Sequence, residues 1–216
     1  PSGVGSPVPC PRGTYMPTTM ATGNVTYSGD LYYCDLCPAG SSCSATGLEI
    51  GDGSCDAGYF CKIGAKSRTP SCDAAFCELM YGACPVGHQC TENTIDPEPC
   101  GDGYYMNHTG ARECDICPAG SYCDSSFSRV TYRDCPQGSY CPEGTGASAQ
   151  ACPQGKYGDR TNLQSEDECT PCDEGMFCSS MGLLAPTDSC SAVFYCPEGS
   201  RSSYGETVYT GNHSCP

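Results

Sequence analysis

Three pairs of cysteines sit two residues apart, Cys34-x2-Cys37, Cys114-x2-Cys117 and Cys169-x2-Cys172. Such pairs can ligate zinc, cycle as redox dithiols or anchor structural disulfides. Zinc wants two such pairs, or histidine in the set. The chain has only His88, His108 and His213, none at ligand spacing. A thioredoxin-like dithiol needs an α/β context that this sequence lacks. Gly144-Thr145-Gly146-Ala147-Ser148-Ala149 matches a dinucleotide fingerprint, but no strand precedes it and no helix follows, so it reads as a turn between modules. The acidic stretches Asp96-Pro97-Glu98 and Glu166-Asp167-Glu168 lack the spaced ligands of an EF-hand loop, so no calcium site is assigned. No metalloprotease, hydrolase-elbow or phosphate-loop motif occurs. These residues predict structural disulfides, no metal, no cofactor and no enzyme.

The elements that place the cysteines are themselves repeated. Cys34-Asp-Leu-Cys37-Pro-Ala-Gly-Ser-Ser-Cys43 and Cys114-Asp-Ile-Cys117-Pro-Ala-Gly-Ser-Tyr-Cys123 are nearly one peptide, and 169–178 is a looser copy. The full module reads C1, a variable loop, then C2-x2-C3-x5-C4-x11-C5-x5-C6. It is filled by Cys10, Cys34, Cys37, Cys43, Cys55 and Cys61, then from Cys100 to Cys141, then from Cys152 to Cys196. Cys72, Cys77, Cys84 and Cys90 form a shortened copy. The predicted modules are 1–62, 63–98 (shortened), 99–142 and 143–214, with 215–216 opening a further one. Inside each lies Cys-Pro-x-Gly-x-Tyr, in which proline fixes one φ and glycine accepts a positive one, so each copy is a tight turn. The aromatic residue is expected to cover the neighbouring disulfide.

Composition agrees. There are 23 cysteines in 216 residues, no tryptophan, and 25 Asp plus Glu against 10 Lys plus Arg, a net charge of −15. That cysteine content marks a disulfide scaffold. Leu, Ile and Val fall singly, without a helical or strand-like stripe, so staples stand in for a core. The predicted fold is small and disulfide-rich: an elongated tandem array of short irregular β modules, with almost no helix and a minimal hydrophobic core. The acidic balance solvates the chain and argues against nucleic acid or anionic membranes. No run approaches the ~20 apolar residues of a membrane span. Disulfides at this density belong to the secretory pathway, extracellular or on the cell surface. Sequons at Asn24, Asn107 and Asn212 agree, and Thr18, Thr19, Thr22 and Ser202-Ser203 are candidate O-glycan sites.

The spacing and the turn motif together resemble the ephrin-receptor-like cysteine-rich repeat, and more broadly the tumour-necrosis-factor-receptor cysteine-rich domain, over residues 10–196. The resemblance implies C1–C2, C3–C5, C4–C6 pairing. In the first module this means Cys10–Cys34, Cys37–Cys55 and Cys43–Cys61. The shortened module takes Cys72–Cys84 and Cys77–Cys90. The third takes Cys100–Cys114, Cys117–Cys135 and Cys123–Cys141, and the fourth Cys152–Cys169, Cys172–Cys190 and Cys178–Cys196. Spacing alone leaves the connectivity open.

Two functions fit. One is a structural segment of an extracellular or cell-surface glycoprotein, polymerised into a filament or coat through self-association or continuation into further modules. The other is a receptor or adhesin ectodomain binding a protein through its loops, for which Tyr32-Tyr33 and Tyr104-Tyr105 are the candidate patches against a plain packing role. Cys215 is unpaired within the segment, and its Cys-Pro context makes it the C1 of a further module, with a partner beyond residue 216 or in another chain. Peptide mapping of native, unreduced material should therefore find Cys215 in a disulfide with a cysteine outside residues 1–216. A free thiol there would overturn this reading.

Overall fold

The computed structural model describes residues 9–17, 25–27, 30–32, 34–71 and 80–204. Among them ten two-stranded antiparallel sheets succeed one another, most of two residues per strand. The described residues contain no α-helix and a single 3-10 turn, Glu166–Glu168. This is the small, disulfide-rich tandem β architecture that the sequence predicts.

The local cause is one turn, used repeatedly. In Cys135-Pro-Gln-Gly138-Ser139-Tyr140-Cys141 the Pro136 carbonyl accepts from the Ser139 N–H at 3.2 Å, and Gly138 has φ 77°. This is a type II turn, whose third residue must take a positive φ. The residues after the turn, Ser139–Tyr140, then pair with Gln150–Ala151 ahead of the next cysteine. Gly138 also gives both its backbone groups to later residues. Its N–H donates to Gly158 O at 2.9 Å, and its carbonyl accepts from Cys152 N–H at 2.9 Å. The same turn centres on Gly13, Gly40, Gly58 and Gly87 in one compact body, residues 1–100 with 106–114. It centres on Gly103, Gly120, Gly138, Gly155 and Gly175 in the other, residues 101–105 with 115–216.

Within each body the turns rest on later repeats. A second positive-φ residue, such as Gly64 or Asn162, donates its N–H to the first cysteine of the preceding repeat: Gly64 to Cys37 O at 2.8 Å, and Asn162 to Cys135 O at 2.9 Å. Its carbonyl then lies against the turn two repeats back. A β-carbon placed on Gly13 would come 2.8 Å from Gly64 O, and one on Gly58 would come 2.5 Å from Gly110 O. Backbone meets backbone where a larger domain would place side chains.

The core is accordingly sulfur. Among described residues the buried apolar set is cysteine plus Phe60, Ala65, Met106, Ala111 and Leu163. It falls into small local clusters. Tyr59 and Tyr81 cover Cys55, Cys61 and Ala65, and Tyr140 covers Cys152, Leu163 and Cys169. Tyrosine over a disulfide is the packing that the turn motif predicts.

Replacing Gly138 by Ala forces an L side chain into a left-handed backbone, at roughly 1–2 kcal/mol, and drives its β-carbon into the Gly182 carbonyl. Gly101, with nothing within 4 Å of its β-carbon position, is the control. Gly138→Ala should accelerate amide exchange at Cys152 about tenfold or more, whereas Gly101→Ala should leave it within about twofold. Equal exchange in the two variants would contradict the backbone-packing account.

Candidate functional site

The chemically competent residues among those described have places in this scheme, and the cysteines come first. Ten disulfides join described residues. Three are Cys10–Cys34, Cys100–Cys114 and Cys152–Cys169, with Cα separations of 5.7–5.9 Å. These are the C1–C2 pairs of the resemblance. The other seven close C-x5-C loops upon themselves: Cys37–Cys43, Cys55–Cys61, Cys84–Cys90, Cys117–Cys123, Cys135–Cys141, Cys172–Cys178 and Cys190–Cys196.

The crossed pairing is thereby corrected. Cys37–Cys55, Cys43–Cys61, Cys117–Cys135, Cys123–Cys141, Cys172–Cys190 and Cys178–Cys196 do not form. Neither do Cys72–Cys84 and Cys77–Cys90, because Cys84 and Cys90 bond each other; Cys72, Cys77 and Cys215 lie outside the described residues. The reason is geometric. The type II turn reverses the chain and returns the sixth residue after the first cysteine to 5.8–6.1 Å from it, Cα to Cα, inside the range a disulfide spans. The next cysteine is engaged differently, through its backbone: Cys55 N–H donates to Gly40 O.

The three C1 cysteines show the same turn with its sixth position vacated. That position holds Met16 after Cys10, Met106 after Cys100 and Gly158 after Cys152. Met106, 1 % exposed, packs against Cys100, Ala111 and Cys114, filling the space the missing sulfur would take. The C1–C2 staple is therefore the C-x5-C staple redirected to a cysteine in the following loop. The signal was present in the sequence as the C-x5-C spacing shared by seven of the turn loops.

The two cysteines of each CxxC motif go to different partners, so none is a dithiol. Among the described residues no group of three His, Cys, Asp or Glu side chains is placed to hold a metal ion. Gly144 of the fingerprint-like stretch is a second-turn residue, with φ 77° and its N–H on Cys117 O. Asp96 pairs with Lys62 at 2.6 Å, and Glu98 accepts from Gln89 at 3.0 Å. Glu166 and Glu168 lie in the 3-10 turn, Glu168 accepting the Gln164 N–H. His88 and His108 hydrogen-bond nearby carbonyls, of Val86 and Thr109; His213 lies outside the described residues. Asn107 is exposed, while Asn24 and Asn212 lie outside, as do Thr18, Thr19 and Thr22. Ser203 accepts the Ser191 N–H through its carbonyl. Tyr105 packs edge-on against Tyr132, centroids 5.1 Å apart, and Tyr104 stands exposed opposite Ile116. Burial, then the Asp115 carboxylate, raises the Tyr105 phenol above its ordinary value. Of Tyr32-Tyr33, Tyr33 and both side chains lie outside the described part of the chain.

Two exposed aromatic sites drew no notice in the sequence. Arg133 stacks its guanidinium 3.2 Å from the centre of the Phe127 ring, and Phe194 meets Tyr204 edge-on at 5.2 Å. Single aromatics outside the turn motif gave no spacing to read. No helix among the described residues is long and apolar enough to cross a membrane. No family model matches the chain, and no curated protein matches it in sequence. The chain is thus a cysteine-rich tandem repeat by structure.

The Asp52 carboxylate accepts from the Ser44 hydroxyl and, at 2.9 Å, from the Ser44 N–H. The hydroxyl bond is the largest cause of its pKa falling below the ordinary value. A depressed folded pKa means this link is fully present above the usual carboxylate range and is lost as pH falls through the lower, folded value. An NMR titration should show Asp52 ionising below free aspartate, and Ser44→Ala should move it upward. An unchanged midpoint in Ser44→Ala would refute the hydroxyl's role.

Proposed function

We propose that this chain is a structural segment of an extracellular or cell-surface glycoprotein. The observation that carries the proposal is the short reach of the backbone contacts along the chain, hydrogen bonds to the next repeat and turn-glycine contacts to the second. Within each body a repeat satisfies its hydrogen bonds, and covers its turn glycine, with the repeats after it. Arrays of this kind are one-dimensional: each added repeat brings its own interface, and length is set by copy number. Such an architecture suits spacing and scaffolding. The disulfide load favours assembly in an oxidising compartment. Exposed Asn107, between the bonded cysteines 100 and 114, is open to glycan transfer. The turn motif and module spacing support kinship with ephrin-receptor-like repeats, but the loop-local pairing sets this chain apart from the crossed connectivity of the receptor-type domain. Assembly into a filament or coat is the form of this function that we favour.

The receptor or adhesin reading draws on one observation, the exposed Tyr104–Ile116 pair. Electron microscopy of native material purified without reductant separates the two. Fibres with a regular axial repeat are expected. Discrete particles at every concentration would replace the structural reading with the receptor one.

A further inference from the structure

Fifteen tyrosines and no tryptophan make phenols the side chains of this protein that give up a single electron most readily. The described cysteines do not compete, because each is already held in a disulfide. Several tyrosines lie singly over disulfides, among them Tyr59, Tyr81 and Tyr140. One pair departs from this. Tyr105 and Tyr132 are the two tyrosines among the described residues whose rings meet, centroids 5.1 Å apart and planes at 81°. Tyr132 is 47 % exposed and Tyr105 half-buried. Burial, then the Asp115 carboxylate, then the Tyr132 phenol raise the Tyr105 pKa. The hydroxyl ends of the two rings therefore share one neighbourhood, and with them the ring carbons beside each hydroxyl. Local structure fixes the placement. Tyr105 stands opposite Asp115 in its ladder, and Tyr132 directly precedes the strand Arg133–Asp134, which pairs with Ser121–Tyr122. Arg133, stacked on Phe127, braces the loop that carries Tyr132.

We propose that Tyr105 and Tyr132 are an oxidative cross-linking site, coupled ring to ring as dityrosine by hydrogen peroxide acting through a peroxidase-type one-electron oxidant. Each phenol loses one electron to the oxidant and one proton to water. The two phenoxyl radicals join by a new C–C bond between carbons ortho to the hydroxyls. The two ortho hydrogens leave as protons, and the two oxygens are reprotonated. Peroxide takes up the two electrons and two protons and becomes two water molecules. The edge-on contact suits this coupling, because a ring edge presents carbons for bonding where a stacked face presents the π-cloud. The Asp115 carboxylate, opposite Tyr105, eases the loss of an electron by offsetting the positive charge that develops on the ring. No disulfide spans residues 124–134, since Cys123 and Cys135 each bond within their own turns, to Cys117 and Cys141. The cross-link supplies that tie, and as a C–C bond it resists thiol reductants. The inference does not rest on the structural role proposed above.

The test treats the intact, unreduced chain in dilute solution with hydrogen peroxide and a haem peroxidase, follows dityrosine fluorescence and maps the linked peptides. A Tyr105–Tyr132 link within one chain is expected at about tenfold or more above any other tyrosine pair, with a yield independent of protein concentration. Tyr132→Phe keeps the ring and its packing but removes the phenol, and should lower the fluorescence about tenfold, whereas Tyr140→Phe should leave it within about twofold. Native material, digested without oxidant treatment, should contain the same linked peptide. Links spread over Tyr104, Tyr195 and Tyr204, or fluorescence unchanged in Tyr132→Phe, overturn the site. Absence of the linked peptide from native material overturns the cross-link as a modification that the protein carries.

Discussion

The positive-φ turn is the constraint on which everything else in this molecule depends. A seven-residue segment that turns through a glycine returns its last residue to disulfide distance of its first, and at the same time lays its backbone against later repeats. At Gly58 the approach is so close that a β-carbon would stand 2.5 Å from the Gly110 carbonyl oxygen. Both consequences arise from one local conformation. The disulfide closes the loop, and the absence of a side chain lets the next backbone in. A chain with five phenylalanines and no tryptophan cannot build an ordinary core; it packs sulfur and peptide groups against each other.

Loop length fixes how much each staple contributes. Closing a loop of about seven residues removes roughly 2.3 kcal/mol of unfolded-chain entropy, against about 3 kcal/mol for the fifteen- to twenty-residue loops that crossed pairing would close. The local pattern therefore gives less stabilisation per bond. It offsets this with independence, since no C-x5-C staple needs another repeat to be folded before it forms. The three longer C1–C2 bonds occur where the sixth position is Met16, Met106 or Gly158 and a loop of variable length comes next. A redirected bond ties that loop back to its turn, and Met106 shows how the vacated sulfur position is refilled with an apolar side chain.

The repeat, the turn, the scarcity of helix and the tyrosine-over-disulfide packing were legible because each is written in local spacing. Connectivity was not, because six cysteines per module admit many pairings and the resemblance supplied the crossed one. The deciding signal lay one level lower. Cys-x5-Cys is constant wherever it occurs, and Met106 stands at the same spacing after Cys100, which marks the short loop rather than the six-cysteine module as the structural repeat. The second-turn residues were also out of reach. Gly64, Asn93, Gly110 and Asn162 share a positive φ and a backbone contact, but they share no sequence motif, since any residue that tolerates the left-handed region serves.

That tolerance is also where the array can change its behaviour without changing its fold. Glycine at the turn leaves the loop unstrained; valine at the same place, in 190–196, keeps the hydrogen bond but carries backbone strain. The surrounding ladder still holds, because Cys190 N–H remains on Gly175 O and Gly199 N–H on Cys172 O. In a core-packed domain a comparable strain would spread through neighbouring side chains, since interiors packed to crystal density transmit displacement. Here each loop meets only the next one or two repeats through its backbone, so one turn can take a strained residue while the others keep glycine.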